Sequence, residues 1–265
     1  MRRSRIKAKL GRGQSVLVTT LHLMDPSVFE LASIMGFDGL WIDLEHSGRS
    51  LETATGLMRA ARVGSSDILA RPAKGEWMRM ARLLEAGAQG IIYPRCDDAA
   101  EARQVVRWAK FAPLGERGVD GGQADAPYCM MPLVEYLAAA NRETFIVIQV
   151  EQQEAVDQVD EIAAVEGVDV IMLGPADFTV LSGIPGKFDD PLVRRAYESI
   201  AAAARRHGKA WGAPSGTPEQ ARMLLEMGAL FIAHQADILM IKNGLDQIQR
   251  NFAPLGFGFE QSPAY

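Results

Sequence analysis

The sequence lacks the features that are typical of disulfide-rich, membrane-spanning and nucleic-acid-binding proteins. It has two cysteines in 265 residues, Cys96 and Cys129, which form neither a CxxC motif nor a disulfide framework. No apolar run approaches the roughly 18 residues of a membrane span. The formal net charge of −5 argues against non-specific binding to nucleic acid. The short basic start lacks a following signal-peptide core. We therefore expect a cytoplasmic protein that binds neither membrane nor nucleic acid.

What the sequence does have is a regular alternation of two patterns. Apolar residues make up 48% of the chain, which is enough for a sizeable core. Short β-rich runs recur and each is followed by a longer helical pattern, which predicts parallel strands joined by right-handed crossovers. The eight runs are SVLVTT, DGLWIDL, DILARP, GIIYPRC, FIVIQVE, VDVIMLG, KAWGAP and ALFIAH.

Eight such units in a chain of this length predict one α/β domain over residues 1–265, a (β/α)8 TIM barrel. A doubly wound open sheet is the alternative, but the first βα turn lacks the GxGxxG motif that would favour it. The first helix is predicted to begin after Asp25 as N-cap, with Pro26 at its first position, and to stop at Gly36. Residues 113–132 form the longest irregular stretch, and such loops are often functional.

Polar residues follow several of the apolar runs directly. In a barrel, the carboxyl ends of all the strands meet at one face, where barrel enzymes carry their chemistry. We therefore expect these side chains to face one cavity. In chain order they are Asp43, Glu45, His46, Arg71, Gln149, Glu151 and Asp177.

The types of these residues indicate a chemistry. Glu151 and Asp177 follow consecutive strands, and paired carboxylates with room for water suit Mg2+ or Mn2+. Asp43 lies three residues before His46, and a carboxylate beside an imidazole raises its basicity. Arg71 offers a fork that binds a carboxylate or an enolate oxygen. A metal, a base and an anion clamp suit enolate chemistry on a 2-oxo acid.

Simpler interpretations stay open for single residues. Asp43 and His46 could cap a turn, and Glu45 could bind a metal-bound water or form a structural salt bridge. Asp177 could be the N-cap of a short helix. His22 and His234 each follow a strand and could line the pocket. The agreement of four strand ends favours a site over a set of unrelated turns.

The chain resembles the HpcH/HpaI aldolases, which are metal-dependent class II pyruvate aldolases with a phosphoenolpyruvate/pyruvate-type barrel. The resemblance covers nearly the whole chain in the right order. It rests on the combination of five segments, since any one of them alone is a weak signal. The segments are GFDGLWIDLEH, the Arg71-Pro72 pair, GERGV, FIVIQVE and VEGVDVIMLGPADF.

The resemblance implies a role for each candidate residue. Glu151 and Asp177 would ligate a divalent ion (Mg2+, Mn2+ or Co2+), and Arg71 would hold the keto or enolate oxygen of pyruvate. His46, partnered by Asp43, would exchange the proton with the C4 hydroxyl. The remaining contacts to metal or substrate carboxylate would come from Gln149 and from the backbone amides of Ala176 and Asp177.

The implied activity is reversible cleavage of a 4-hydroxy-2-oxo acid into pyruvate and an aldehyde, as in aromatic or sugar acid catabolism. The alternatives are a lyase acting on malyl- or citramalyl-CoA, an oxaloacetate decarboxylase that uses the same enolate, and a non-catalytic carboxylate-binding barrel. No lysine lies in an apolar run, which speaks against a Schiff-base aldolase. The family also implies a hexamer of dimers that swap a terminal helix.

The chain departs from the family pattern on the aldehyde side. Thr20 stands where relatives have a tryptophan, and the loop after GERGV reads DGGQADAPYCMM, which is poor in arginine. Glu85 replaces a family aspartate of the third helix that approaches a neighbouring subunit's site. These positions are expected to shape the aldehyde half of the pocket.

Overall fold

A computed structural model describes residues 1–260, so the last five residues of the predicted domain 1–265 lie outside the described range. Eight parallel strands close into a barrel in the order β1 to β8, which confirms the predicted (β/α)8 fold. The strands are β1 (Val16–Leu21), β2 (Gly39–Asp43), β3 (Asp67–Arg71), β4 (Gly90–Tyr93), β5 (Phe145–Val150), β6 (Val170–Leu173), β7 (Ala210–Ser215) and β8 (Phe231–Ala236).

Helices connect the strands and surround the barrel. They are α1 (Arg5–Leu10), α2 (Pro26–Ile34), α3 (Leu51–Ala60), α4 (Trp77–Ala86), α5 (Ala99–Ala109), α6 (Leu133–Glu143), α7 (Gln153–Asp157), α8 (Val159–Ala163), α9 (Pro175–Leu181), α10 (Pro191–Arg206), α11 (Pro218–Glu226) and α12 (Asp237–Phe252). Three short 3-10 turns cover Ala61–Val63, Pro127–Cys129 and Ala253–Leu255.

The predicted start of α2 is confirmed. The Asp25 side chain accepts a hydrogen bond from the Ser27 amide at 2.8 Å, Pro26 occupies the first helical position, and Gly36 follows the helix with φ of 85°. The pattern QEAVDQVDEIAAVEG, residues 153–167, predicts one helix after the fifth apolar run, but the structure divides it into α7 and α8. The backbone of Gln158 leaves the helical region there, with φ of −103° and ψ of 12°.

Helix α1 closes the amino-terminal end of the barrel and was not predicted. It is anchored by Asp67, which accepts hydrogen bonds from Ser4 Oγ at 2.6 Å and from the Ile6 amide at 2.8 Å. The Ile6 side chain is fully buried against Val16 and Val18 in the barrel interior. A six-residue helix with one buried apolar side chain is too short for its periodicity to show in the sequence.

The core has two layers, as expected for this architecture. The larger layer lies between the strands and the helices, and the smaller one fills the barrel. Apolar side chains occupy the interior up to Trp41 and Met172, and above them the inward positions become polar. The change from apolar to polar lies at the carboxyl ends of the strands and marks the floor of a cavity.

Helix α12 differs from the other long helices in its exposure. Its only buried residue is Asp237, whose carboxylate accepts hydrogen bonds from the amides of His22 at 2.7 Å and Leu23 at 2.8 Å. Its exposed apolar side chains are Ile238, Leu239, Met240, Ile241, Leu245, Ile248 and Phe252. No helix within residues 1–260 is long and apolar enough to cross a membrane.

Candidate active site

A cavity of about 420 Å³ opens at the carboxyl ends of the strands. It brings together six of the seven residues to which the family resemblance assigns a role, namely His46, Arg71, Gln149, Glu151, Ala176 and Asp177. The seventh, Asp43, lines an adjoining cavity of about 230 Å³. The two cavities share Trp41, Arg71, Pro214 and Ser215, so they form one continuous mouth.

Arg71 is held in one orientation by its neighbours. Its Nε and Nη2 donate to the two Asp43 oxygens at 2.9 and 2.8 Å, and Glu45 Oε2 lies 3.2 Å from Nε. Its guanidinium stacks over Trp41 with Cζ 4.8 Å from the ring centroid. Burial alone would lower the pKa of Arg71, but Asp43 and Glu45 outweigh burial and raise it. A fixed, charged fork is therefore presented to the cavity.

The predicted pairing of Asp43 with the His46 side chain is wrong. Asp43 lies opposite Arg71 in the parallel register of β2 and β3, so the guanidinium takes both carboxylate oxygens. The Glu45 amide also donates to Asp43, at 3.0 Å. The carboxylate nearest to His46 is Glu45, whose Oε2 lies 3.5 Å from Nε2, and the His46 side chain is 62% exposed. Glu45 therefore contacts both Arg71 and His46, and a structural salt bridge was one of the two roles that the sequence left open for it.

Glu151 is a buried carboxylate at the base of the cavity. Its Oε1 accepts from Gln149 Nε2 at 2.6 Å and its Oε2 from the Arg95 amide at 2.8 Å. Burial, followed by the nearby charge of Asp177, raises the pKa of Glu151 to about 7. A side chain at residue 174 would place its Cβ 2.2 Å from Glu151 Oε1, so glycine is required there for Glu151 to lie as it does.

Asp177 and Ala176 belong to the first turn of α9. The N-cap of this helix is Gly174, so the alternative interpretation of Asp177 as N-cap is wrong. The first backbone amides of a helix have no partner within it. The amides of Ala176 and Asp177 are therefore available to an anion at the cavity wall.

The donor set fits a hard divalent cation. Within residues 1–260 no group of three or more His, Cys, Asp or Glu side chains could hold a metal by itself. Glu151 and Asp177 instead offer two carboxylates, and Mg2+ is commonly bound through one or two carboxylates while substrate and water complete its coordination. The orientation of Glu151 by Gln149 is the kind of outer contact that metal ligands have.

A family model described as HpcH/HpaI aldolase/citrate lyase matches residues 18–243. The chain belongs to this family. It is 34% identical over 249 residues to a hydroxypyruvate/pyruvate aldolase of Pseudomonas aeruginosa, across 94% of this chain and 92% of that protein. It is 33% identical over 241 residues to a 2-keto-3-deoxy-L-rhamnonate aldolase of Escherichia coli K12, across 91% and 90%.

Solved structures agree with this assignment. A crystal structure of an HpcH/HpaI aldolase from Desulfitobacterium hafniense DCB-2 superposes with a TM-score of 0.85 and 31% identity, covering 92% of this chain and 96% of that one. The chain is therefore a carbon–carbon lyase of the aldolase type.

The positions of the lysines in this aldolase support the sequence argument against a Schiff-base mechanism. Of the residues that the structure describes, no lysine lines either cavity. Among residues 1–260 the one buried lysine is Lys110, whose Nζ donates to the carbonyls of Thr144 at 2.6 Å and Asn141 at 3.2 Å. Thr144 immediately precedes β5, so Lys110 lies at the opposite end of the barrel from the cavity.

Several lining residues were missed. In the larger cavity they include Phe188, Pro214, Ser215, Gly216 and Gln220. Ser215 is the last residue of β7, so it lies at a strand end like the predicted site residues. It was not predicted because KAWGAP is a weak strand pattern that stops one residue before Ser215. Phe188 lies in a connecting loop, where no periodicity marks it.

The positions expected to shape the aldehyde half of the pocket lie in different parts of the structure. Thr20 lines the smaller cavity, and so do His22 and His234, the two histidines whose positions the sequence left open. Glu85 and the irregular segment 113–132 line neither cavity. The segment is held by residues outside it, since Asp125 accepts from Tyr136 Oη of α6 at 2.7 Å and the Arg117 amide donates to the Lys110 carbonyl at 2.9 Å.

Proposed function

We propose that the chain is a divalent-metal-dependent aldolase that reversibly cleaves a 4-hydroxy-2-oxo acid into pyruvate and an aldehyde. The observation that carries the proposal is the placement of the Glu151 and Asp177 carboxylates in the same cavity as the fixed Arg71 fork. The relatives named for pyruvate and 2-oxo acid substrates support it.

Glu151 and Asp177 are the residues proposed to hold the cation, which would be Mg2+, Mn2+ or Co2+. When bound, such an ion acts as a Lewis acid that stabilises negative charge on the substrate. Gln149 keeps Glu151 oriented through its 2.6 Å hydrogen bond. Gly174 leaves the space in which that carboxylate lies.

The pyruvate half of the substrate is proposed to bind through three groups. The backbone amides of Ala176 and Asp177 would receive its carboxylate, because the first turn of a helix favours an anion. Arg71 would donate to the 2-oxo oxygen and stabilise the charge that develops there as the enolate forms. Asp43 positions Arg71 by binding it through two hydrogen bonds.

His46 is proposed to take the proton of the C4 hydroxyl in the cleavage direction. The C3–C4 bond then breaks, the aldehyde leaves, and the electron pair passes to the enolate of pyruvate. A proton from solvent then adds to C3 to give pyruvate, and His46 releases the proton that it took to solvent. Glu45, at 3.5 Å from Nε2, would stabilise the imidazolium in place of the predicted Asp43.

Proton exchange at C3 of pyruvate tests this function without a choice of aldehyde. In heavy water, the pyruvate methyl signal in proton NMR is expected to decay with enzyme and Mg2+, Mn2+ or Co2+, and to persist with chelator. No exchange with any metal would refute pyruvate as the bound half and favour the CoA-thioester lyase.

Replacing His46 by Ala is expected to slow aldol cleavage by about 10² to 10⁴-fold, the usual contribution of a general base. Metal affinity, measured by titration calorimetry with Mn2+, is expected to stay unchanged, since His46 is not among the proposed ligands. His207→Ala on the outer surface is the matched control. Cleavage at the wild-type rate in His46→Ala would contradict the assignment.

We further propose a homo-oligomer in which α12 packs against another copy. The apolar side chains of α12 are too many for a helix facing only water, as Leu245 and Ile248 are 57% and 52% exposed. Light scattering is expected to show a multiple of the 28.9 kDa chain mass, and Leu245→Glu with Ile248→Glu is expected to reduce it. A monomeric wild type would contradict the proposal, as would an unchanged mass in the double variant.

A further inference from the structure

Two different parts of the chain hold the carboxylate of Glu151. Its Oε1 accepts from the Gln149 side chain at the same strand end, whereas its Oε2 accepts from the backbone amide of Arg95 at 2.8 Å. Arg95 lies in the loop between β4 and α5. One of the two contacts that orient the proposed metal ligand therefore depends on the conformation of a loop.

Arg95 has a backbone conformation that its residue type disfavours. Its φ is 50°, in the left-handed region that residues other than glycine seldom adopt. Such conformations persist where surrounding contacts hold them, and they are common at functional sites. The Arg95 side chain is exposed, so the contacts that hold this conformation are those of the neighbouring backbone groups.

The peptide group that joins Arg95 to Cys96 is held from both sides. Its N–H donates to the Gln149 carbonyl of β5 at 3.0 Å. Its oxygen, the Arg95 carbonyl, accepts from Lys74 Nζ at 2.7 Å, and Lys74 is the only side chain among residues 1–260 that donates to it. Fixing this peptide group restricts rotation about the Arg95 backbone bonds, and that rotation determines whether the preceding amide points at Glu151.

Lys74 is itself held in one position. An ammonium group has three donors, and three oxygens lie close to Nζ, namely the Arg95 carbonyl, Asp97 Oδ2 at 2.6 Å and Glu101 Oε2 at 3.2 Å. Burial alone would lower the pKa of Lys74, but the two carboxylates outweigh burial and raise it. Glu101 is fixed in turn by Tyr93 Oη, which donates to its Oε1 at 2.6 Å.

A simple surface ion pair does not account for this arrangement. Lys74 and Asp97 have side chains that are 34% and 53% exposed, and ion pairs of this kind contribute little to stability. An ion pair also has no need of the Arg95 carbonyl, yet the ammonium group donates to it at 2.7 Å. The network is better explained by its result, which is a backbone amide fixed at 2.8 Å from Glu151 Oε2.

We infer that Lys74 is a positioning residue for Glu151 and acts through the turn at Arg95. Each carboxylate oxygen has two lone pairs, so the hydrogen bond from the Arg95 amide orients Oε2 and leaves a lone pair for a cation. The inference rests on the proposed function, because the orientation of Glu151 matters to the reaction only if Glu151 binds the metal ion.

The affinity of the substrate-free protein for Mn2+, measured by titration calorimetry, tests this role without a reading of activity. Lys74→Met keeps the length of the side chain and removes its donors. We expect it to weaken Mn2+ binding by about tenfold, at the lower end of the range for outer contacts of metal ligands. Lys74→Arg can still donate to the Arg95 carbonyl and is expected to restore most of the affinity.

The sign of the change separates positioning from other roles of Lys74. Removing a positive charge near a cation site would by itself strengthen Mn2+ binding. A purely structural salt bridge would lower the melting temperature and leave the affinity as it is. An affinity of Lys74→Met that equals or exceeds that of wild type would therefore overturn the inference.

Lys9→Met is the matched control. Lys9 also forms a partly buried ion pair, with Asp38 at 2.8 Å, but it lies on α1 at the opposite end of the barrel. We expect this variant to bind Mn2+ as wild type does. A loss as large as that of Lys74→Met would overturn the inference, because it would come from general damage to the fold.

A second comparison tests whether Lys74 acts through the turn. Glycine adopts a positive φ at little cost, so in Arg95→Gly the turn depends less on Lys74. We expect Lys74→Met to weaken Mn2+ binding less when it is added to Arg95→Gly than when it is added to wild type. Equal losses in the two backgrounds would refute the turn as the link.

C3 exchange by wild type separates this inference from the proposed function. If wild type shows metal-dependent exchange and Lys74→Met binds Mn2+ as wild type does, only the positioning role is refuted. If wild type neither binds Mn2+ nor exchanges the C3 protons, both proposals are refuted.

Discussion

Glu151→Gln is expected to abolish metal-dependent C3 exchange and to weaken divalent-ion binding by at least about 100-fold. The substitution keeps the shape of the side chain and removes its charge. Outer contacts of metal ligands alone contribute about 10- to 100-fold to affinity, and a direct ligand contributes more. The new amide also brings an N–H group toward Gln149 Nε2, the donor that now binds Glu151 at 2.6 Å. The readouts are Mn2+ titration calorimetry and the NMR exchange rate.

The stability of this variant separates a lost ligand from a damaged fold. Glu151 is 2% exposed and shares its surroundings with Asp177, so a neutral amide removes a buried repulsion. This gain opposes the loss of one of the two hydrogen bonds that Glu151 accepts, so we expect the melting temperature of the metal-free protein to change by only a few degrees. Glu154→Gln, in the exposed first turn of α7, is the control. Wild-type metal affinity in Glu151→Gln would refute the ligand assignment.

The barrel itself was predictable because it depends on local patterns. Each strand is a short apolar run bounded by turn residues, and caps such as Asp25 with Pro26 fixed helix starts. Elements held by tertiary contacts were not predictable. Helix α1 is held in place by Asp67, which lies 63 residues after Ser4 in the sequence. Strand β8 also carries one extra residue, which shows only in its pairing with β1.

The location of the site was predictable from the strand ends, whereas the partners within it were not. Position at a carboxyl end places Arg71, Glu151 and His46 at one cavity whatever their rotamers. Which side chains pair within the site depends on the register between neighbouring strands. Asp43 lies opposite Arg71 across β2 and β3, and a guanidinium with two donors binds a carboxylate more strongly than an imidazole with one. Proximity in sequence had suggested the wrong partner for His46.

Because Asp43 lies opposite Arg71 across β2 and β3, a change of the side chain at position 71 is expected to have a large effect on catalysis. Arg71→Lys keeps the positive charge but loses the planar fork, so the side chain can no longer bind Asp43 through two hydrogen bonds and also donate to the substrate. We expect kcat for aldol cleavage to fall by about 10³-fold, as when a donor to a developing oxyanion is removed. The affinity for Mn2+ is expected to stay near that of wild type.

The controls for Arg71→Lys distinguish geometry from charge. Arg79→Lys, in a partly exposed pair with Glu76 at 3.3 Å at the start of α4, is expected to have no effect. Asp43→Asn keeps Arg71 but weakens its orientation, so it is expected to lower kcat less than Arg71→Lys does. If lysine at position 71 supports wild-type kcat, only the charge matters at this position, and the stack on Trp41 together with the bidentate contact to Asp43 serves the fold rather than the reaction.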